Sequence, residues 1–190
     1  MVPPGRATRP TSDRAREGLF GTVQAVLGPL GGVRVLDLYA GSGAVGLEAL
    51  SRGAAHALLV ESAPAAIRVI KTNIAALELP GACLIPGRVE RVLARGPAGT
   101  APPARGCPPG TGGGDRYGFV FADPPYAASE GEIAAMLRAL GEHGWLAEGA
   151  LVAVERRSAS PAPPWPPGYA ADRARRYGDA TLWYGLAAGA

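Results

Sequence analysis

Ser12 or Asp13 can cap a helix that runs to about Leu27, with Ala15, Leu19, Val23, Val26 and Leu27 on one face. Arg14, Glu17, Gly21 and Gln24 fall roughly opposite, and Gly28–Gly32 ends the pattern. Val33–Leu38 shows no polar–apolar alternation apart from Arg34, as expected of a strand covered on both faces. From there strands and helices take turns. A helix is predicted from about Ala44 to Ser51, a strand over Ala57–Glu61, and a helix over Ala63–Leu77 with Ile67, Ile70, Ile74 and Leu77 on one stripe. A third strand is predicted at Ala82–Ile85 and a short helix at Val89–Ala94, with Val89, Val92 and Leu93 inward. The fourth strand is predicted at Tyr117–Ala122, a helix at Glu130–Leu140 with Ile133, Met136, Leu137 and Leu140 inward, and the fifth strand at Ala150–Val154. Tyr169–Tyr177, a Gly178-Asp179 turn and Thr181–Leu186 read as a closing hairpin. Repeated strand–helix units imply an α/β fold, a doubly wound, mainly parallel Rossmann-like sheet, with the C-terminal antiparallel hairpin at one edge.

Three stretches carry no apolar period. Met1–Pro10 is rich in Pro, Gly and Arg and is expected to be extended, and Ser158–Gly168 is Pro-rich. Gly96–Arg116 is low in complexity and reads as a disordered surface insertion between a helix and the next strand. Much of the excess of 28 Gly and 19 Pro sits in such segments, so the 190 residues are expected to form one domain, 1–190.

The net charge of +3 is mildly basic, compatible with nucleic acid without establishing it. Lys71 is the only lysine, so arginine carries nearly all the positive charge. Cys83 and Cys107 have no metal-ligand spacing and indicate no disulfide framework. His56 and His143 have no companions that would make a metal or a His-based catalytic site, and no metal is expected. No run is long and apolar enough for a membrane span or a signal peptide, so the cytoplasm is the expectation, and a monomer is expected as well.

In open parallel sheets, ligands bind beyond the carboxyl ends of the strands. Asp37, Glu61 and Asp123 all sit at ends of predicted strands. Gly41, Gly43 and Gly46 spell GxGxxG, a weak signal alone, whose glycines let the backbone turn tightly and approach a ligand. In a dinucleotide fingerprint the glycines usually follow the strand directly, whereas here Leu38-Tyr39-Ala40 stand between Asp37 and Gly41. An anionic Asp37 facing the ligand suits a cationic amino group and a nearby sulfonium better than a pyrophosphate. Glu61 can accept both hydroxyls of a ribose, which marks a nucleoside but not a reaction. A backbone N–H at Arg88-Val89 would lie near an adenine edge.

Asp123-Pro124-Pro125-Tyr126 is the discriminating motif. An exocyclic base amine is a poor nucleophile because its lone pair is delocalised into the ring. A carboxylate accepting one N–H, with a backbone carbonyl accepting another, favours a more tetrahedral nitrogen whose lone pair can point at a methyl donor. Two prolines remove backbone donors and stiffen the loop. Tyr126 offers a face on which a flipped-out base can stack, worth roughly 1–3 kcal/mol.

RPTSDRAREGLF at Arg9–Phe20, LDLYAGSGAVGLEALSRGA at Leu36–Ala54, VES at Val60–Ser62, FADPPY at Phe121–Tyr126 and YGDATL at Tyr177–Leu182 together resemble the RsmD-type family. That family comprises bacterial S-adenosylmethionine-dependent methyltransferases acting on a guanine N2 of 16S ribosomal RNA. The resemblance covers nearly the whole chain except Gly96–Arg116, and the first and last blocks narrow it to this family. It implies that Asp37, Tyr39, Ala40, Gly41, Ser42, Gly43, Glu61, Ser62 and Val89 bind the cofactor, S-adenosyl-L-methionine. It implies that Asp123, Pro124, Pro125 and Tyr126 hold the guanine. Thr11, Arg14 and Arg16 would lie near the cofactor or the RNA, and 16S rRNA or a small-subunit particle would be the partner. Two departures stand out. The family usually has a Gly/Arg-rich strand segment ahead of the position of Val2, and position 88 is often acidic where this chain has Arg88.

Other readings remain open at this point. A DNA adenine-N6 or cytosine-N4 methyltransferase would share the DPPY motif. A nicotinamide-dependent oxidoreductase would share the glycines and Glu61. A non-catalytic RNA-binding module would leave the cofactor residues without a use. Arg156-Arg157 and Arg173, Arg175 and Arg176 read as a solvated face within reach of RNA phosphates, and Trp145 and Trp183 as packing residues.

Overall fold

The sheet is covered on both faces, as the apolar strands require. The computed structural model describes residues 13–97 and 116–188. In chain order its elements are α1 (Asp13–Leu27), β1 (Arg34–Leu38), α2 (Ala44–Ser51), β2 (His56–Glu61), α3 (Pro64–Leu77), β3 (Ala82–Pro86), α4 (Val89–Leu93), β4 (Tyr117–Ala122), α5 (Glu130–Glu142), β5 (Leu146–Arg157), β6 (Tyr169–Tyr177) and β7 (Ala180–Ala187). The strands form one seven-stranded sheet in the order β3-β2-β1-β4-β5-β7-β6. The first five run parallel, and β7 joins β5 and β6 antiparallel, which is the expected closing hairpin.

Alternate residues of β1 enter two cores. Val35 packs with α1, α2 and α3 residues such as Leu19, Val45 and Ile70, while Leu36 and Leu38 pack with α4 and α5 residues such as Leu93 and Leu137. On α1, Ala15, Leu19 and Val23 are buried and Arg14, Glu17, Gly21 and Gln24 are exposed, as the periodicity predicts. Trp145 is fully buried and its Nε1 donates to the Leu93 carbonyl at 2.9 Å, tying α4 to the start of β5.

Three expectations need correcting. The fifth strand is more than twice as long as its apolar run. At its start, Gly149 takes φ 68° and the pairing register with β4 shifts between Tyr117 and Phe119, so the strand bends and the alternation breaks. At its end, Glu155, Arg156 and Arg157 pair with Leu182, Thr181 and Ala180 of β7, a strand extension that charged residues conceal. On α3 the predicted stripe is covered only in part, since Ile70 is buried but Leu77 is 53% exposed. The helix lies over the edge of the sheet, where β3 has no further neighbour for Leu77 to pack on. Cys83, buried on β3, is disulfide-bonded, which the cysteine spacing did not suggest. Most of the expected insertion at 96–116 lies outside the described residues, as do Thr11 and the segment 1–10. Among the described residues no helix is long and apolar enough to cross a membrane.

Strand order reverses between β1 and β4: β2 and β3 lie to one side of β1, while β4 and β5 lie to the other. That crevice, above the carboxyl ends, is where such sheets hold ligands.

Candidate active site

Three turns at this crevice are stitched together through the backbone. Ala40 N–H donates to the Val60 carbonyl (3.0 Å), Asp123 N–H to the Leu38 carbonyl (3.3 Å) and Gly87 N–H to the Glu61 carbonyl (2.8 Å). The segment from Tyr39 to Gly43 is thus held between the ends of β2 and β4. Within it Tyr39, Gly41 and Gly43 take φ of 59°, 59° and 77°. For Tyr39, which has a Cβ, that conformation costs roughly 1–2 kcal/mol, a local strain of the kind found at functional sites.

The glycines of the loop do different jobs. A Cβ on Gly43 would stand 2.6 Å from Leu59 Cδ2, and one on Gly46 would stand 3.2 Å from Asp37 Oδ2. Both let α2 sit down on β1 and β2. A Cβ on Gly41 would meet nothing closer than the Tyr39 carbonyl at 3.9 Å, so its backbone faces open space that a ligand can enter.

Two carboxylates hold this loop in shape. Asp37 is buried, and its Oδ2 accepts Gly46 N–H at 2.9 Å. Burial pushes its pKa up to about 7, the Gly46 hydrogen bond working against the rise and the Glu61 charge adding to it. Glu61 is also buried. Its Oε2 accepts Gly41 N–H at 2.8 Å, and its Oε1 accepts Ser62 N–H at 2.6 Å and Ala63 N–H at 2.7 Å. The Ser42 carbonyl accepts Asn73 Nδ2 of α3 at 2.9 Å. Asn73 was not foreseen, because a single polar residue on a helix carries no sequence signal of its partner. Ala40 is half-buried against the core. Val89 has its side chain in the core, and its N–H opens the first turn of α4.

On the other side of the crevice stands the turn after β4. Pro124 is buried, Pro125 and Tyr126 are exposed, and the Pro125 carbonyl accepts Ala128 N–H at 2.8 Å. Helix α5 then starts at once with a capping box: Glu132 N–H donates to Ser129 Oγ at 3.2 Å, and Ser129 N–H donates to Glu132 Oε2 at 2.8 Å. The Tyr126 ring is 51% exposed, with the Arg157 guanidinium carbon 5.1 Å from its centroid.

The Asp123 carboxylate receives no hydrogen bond from the described residues. Its pKa is raised to about 8, first by burial, then by the negative charges of Glu155 and Asp37. Glu155, at the end of β5, is buried and lines the same cleft as Pro124, Pro125 and Tyr126. No motif pointed to Glu155. Its strand position would have, had the fifth strand been read to its full length.

Arg16 forms ion pairs with Asp13 and with Glu48 of α2, so it ties α1 to α2. Arg14 is exposed on the outer side of α1. Arg88 lies outside the crevice's hydrogen-bond network, 3.4 Å from Glu90.

The chain is similar to known proteins. The family model "Conserved hypothetical protein 95" matches residues 1–185. "Ribosomal RNA small subunit methyltransferase D" of Escherichia coli (strain K12) is 36% identical over 81% of this chain and 67% of its own length. "Putative rRNA methyltransferase YlbH" of Bacillus subtilis (strain 168) is 35% identical over 80% of this chain and 72% of its own. The solved structure "Putative methyltransferase yhhF from Escherichia coli" superposes with a TM-score of 0.78 at 31% identity, covering 99% of this chain and 91% of that one. With its fold, its motifs and a family match along almost its whole length in agreement, the chain belongs to the RsmD-type family of methyltransferases.

Proposed function

We propose that this chain methylates the exocyclic N2 of a guanine in small-subunit ribosomal RNA, in the cytoplasm, with S-adenosylmethionine as cofactor. S-adenosylmethionine is the cofactor of the family and supplies a methyl group on a sulfonium. The residues present fit it. Gly41 leaves its backbone open to the crevice. Glu61 accepts three backbone N–H groups, and a carboxylate has about four lone-pair positions, so one remains, for one ribose hydroxyl rather than for both. Asp37, buried beneath the loop, gains from any cationic group placed above it, which would favour its ionised form.

The observation that carries the reading is Asp123: a carboxylate at the head of a Pro-Pro turn, tethered through its N–H to β1 beside the glycine loop, with no donor of its own among the described residues. A base amine completes it. Asp123 accepts one N–H of the amine and thereby aims the nitrogen's lone pair. The Pro124 carbonyl stands next to it, while the Pro125 carbonyl already holds Ala128 N–H. After transfer Asp123 can take the proton that the methylated nitrogen releases. Tyr126 offers the exposed ring on which the extruded base stacks. The small-subunit RNA is supported by what the Escherichia coli relative is named for.

The test incubates the purified protein with S-adenosylmethionine carrying a labelled methyl group and small-subunit RNA or particles from a strain lacking the corresponding gene, followed by nucleoside mass spectrometry. Label in N2-methylguanosine is expected. Label in N6-methyladenosine or N4-methylcytidine would overturn the base assignment. Binding of NAD with no binding of S-adenosylmethionine would overturn the reading altogether.

A further inference from the structure

We propose that Glu155 is the specificity-determining residue that selects guanine, by accepting its N1–H beside the N2 amine held at Asp123; the proposal rests on the reading of the target as a base amine. The two acids are neighbours by construction. Strands β4 and β5 pair in parallel with Ala122 opposite Val154, so Asp123 and Glu155 follow as the next residues on adjacent strands. Neighbouring strands lie about 4.8 Å apart. Glu155 is 4% exposed, yet it lines the cleft formed by Pro124, Pro125 and Tyr126. Its negative charge acts on the Asp123 carboxyl, which places the two within one electrostatic site.

The chemistry of the bases makes such a pair selective. Guanine presents N1–H and the N2 amino group side by side, a row of donors that two adjacent carboxylates can accept. Adenine has a bare N1 next to its amino group, and cytosine a bare N3, each a lone pair that a carboxylate would face with repulsion. A site built to receive a donor rejects the analogue that lacks it by large factors, because the analogue turns a lone pair toward the carboxylate in place of an N–H. Asp123 alone can hold any base amine; Asp123 with Glu155 is matched to guanine. Arg156 and Arg157, which follow Glu155 along the cleft wall, are engaged with the Pro161 carbonyl and the Tyr126 ring.

2-Aminopurine keeps the N2 amino group but has a bare N1 and no O6, so the contact is read from how a change at Glu155 alters the preference between the two bases. The methylated guanine is first mapped with the wild-type protein, and RNA is then rebuilt with 2-aminopurine at that position. Wild type should show a kcat/KM at least about tenfold higher on guanine than on 2-aminopurine. Glu155→Gln should lower kcat/KM on guanine about tenfold or more and narrow the guanine-to-2-aminopurine ratio by at least about tenfold, since the Gln amide can donate to a bare N1. Cofactor affinity should not change. Equal losses on both bases, or a wild type that does not distinguish them, would overturn the proposal. Should Glu155→Gln not fold, the wild-type ratio together with Glu155→Asp decides, because the shorter acid should lose rate and keep the preference for guanine. A wild type that labels adenine or cytosine in the mapping step would instead overturn the function proposed above.

Discussion

The two turns that face each other across the crevice use their carboxylates in opposite ways. Around the turn after β1, Asp37 and the β2 residue Glu61 accept four backbone N–H groups between them: Gly46 and Gly41 from the glycine side, Ser62 and Ala63 from the turn after β2. The acids there set the shape of the loop. In the turn after β4, prolines and the capping box of α5 set the shape, and the Asp123 carboxylate is left without a hydrogen bond from the described residues. On the proposed reading, one turn is a finished receptor and the other holds an acceptor waiting for a donor. A binding loop gains from being complete before its ligand arrives, since no ordering cost is left to the binding step. A group that polarises the substrate must keep its strongest interaction for the reacting atom.

The sharpest way to break this contrast is to remove the waiting acceptor. Asp123→Ala should lower kcat by about a hundredfold or more while leaving the affinity for S-adenosylmethionine, measured by calorimetry, within about twofold. Turnover at the wild-type rate would remove Asp123 from the reaction. Equal loss of both properties would mean that the two turns are one unit.

The next effect is on pH. Asp123 accepts an N–H best when ionised, and its pKa is raised to about 8. Activity should therefore climb with pH, with kcat/KM falling about tenfold per unit below the inflection near 8. Stability should run the other way. Asp37 and Asp123 both hold their protons more tightly folded than unfolded, so their contribution is full below the ordinary carboxylate range and is lost as pH rises through about 7 to 8. The melting temperature of the protein without ligand should fall from pH 5 to pH 8, and Asp123→Asn should flatten that fall. A melting temperature that rises over the same range would show that neither acid is raised.

Gly43→Ala and Gly41→Ala separate packing from access within the glycine loop. Both positions have positive φ, which costs a side chain roughly 1–2 kcal/mol. At Gly43 the added methyl also meets Leu59 at 2.6 Å, an overpacking cost of roughly 1–3 kcal/mol. Gly43→Ala should therefore lower the melting temperature clearly more than Gly41→Ala, which should act mainly on cofactor affinity. The same ranking in both readouts would argue that Gly41 is structural too.

The contrast also explains what the sequence could show. The alternation of apolar runs and the glycine and DPPY motifs placed β1, α2, β4 and α5 closely, because each of these elements obeys a local rule. Glu155 stayed hidden because it sits where β5 extends past its apolar run to pair with β7, a long-range contact that no window along the chain contains. The pairing of Arg16 stayed hidden for the same reason: its partner Glu48 lies in another helix, and only the fold shows that the guanidinium is engaged there. Glu61 was legible as a strand-end acid, but its three backbone donors were not, since they depend on how two turns meet.

Tyr126 tests the open side of the comparison from the substrate's end. Its ring is 51% exposed and belongs to neither core cluster, so Tyr126→Ala should leave the melting temperature within about 1 °C. If the ring stacks the extruded base, the same change should weaken RNA-dependent kcat/KM by roughly 1–3 kcal/mol, about 5- to 150-fold, while Tyr126→Phe keeps most of it. Loss in the Phe variant as large as in Ala would assign the role to the hydroxyl instead.

The smallest effect is on the support of the DPPY turn. Ser129 caps α5 three residues after Tyr126, its Oγ accepting the Glu132 N–H. Ser129→Ala should cost about 1 kcal/mol of stability, the usual worth of such a cap. If α5 pins the turn, kcat should also drop a fewfold, because a loosened Pro-Pro turn no longer holds Asp123 against the Leu38 carbonyl. An unchanged kcat at reduced stability would mean that the prolines and the tether to β1 hold the acceptor by themselves. The rigidity of the DPPY turn would then reside in the seven residues from Asp123 to Ser129 rather than in the helix that follows.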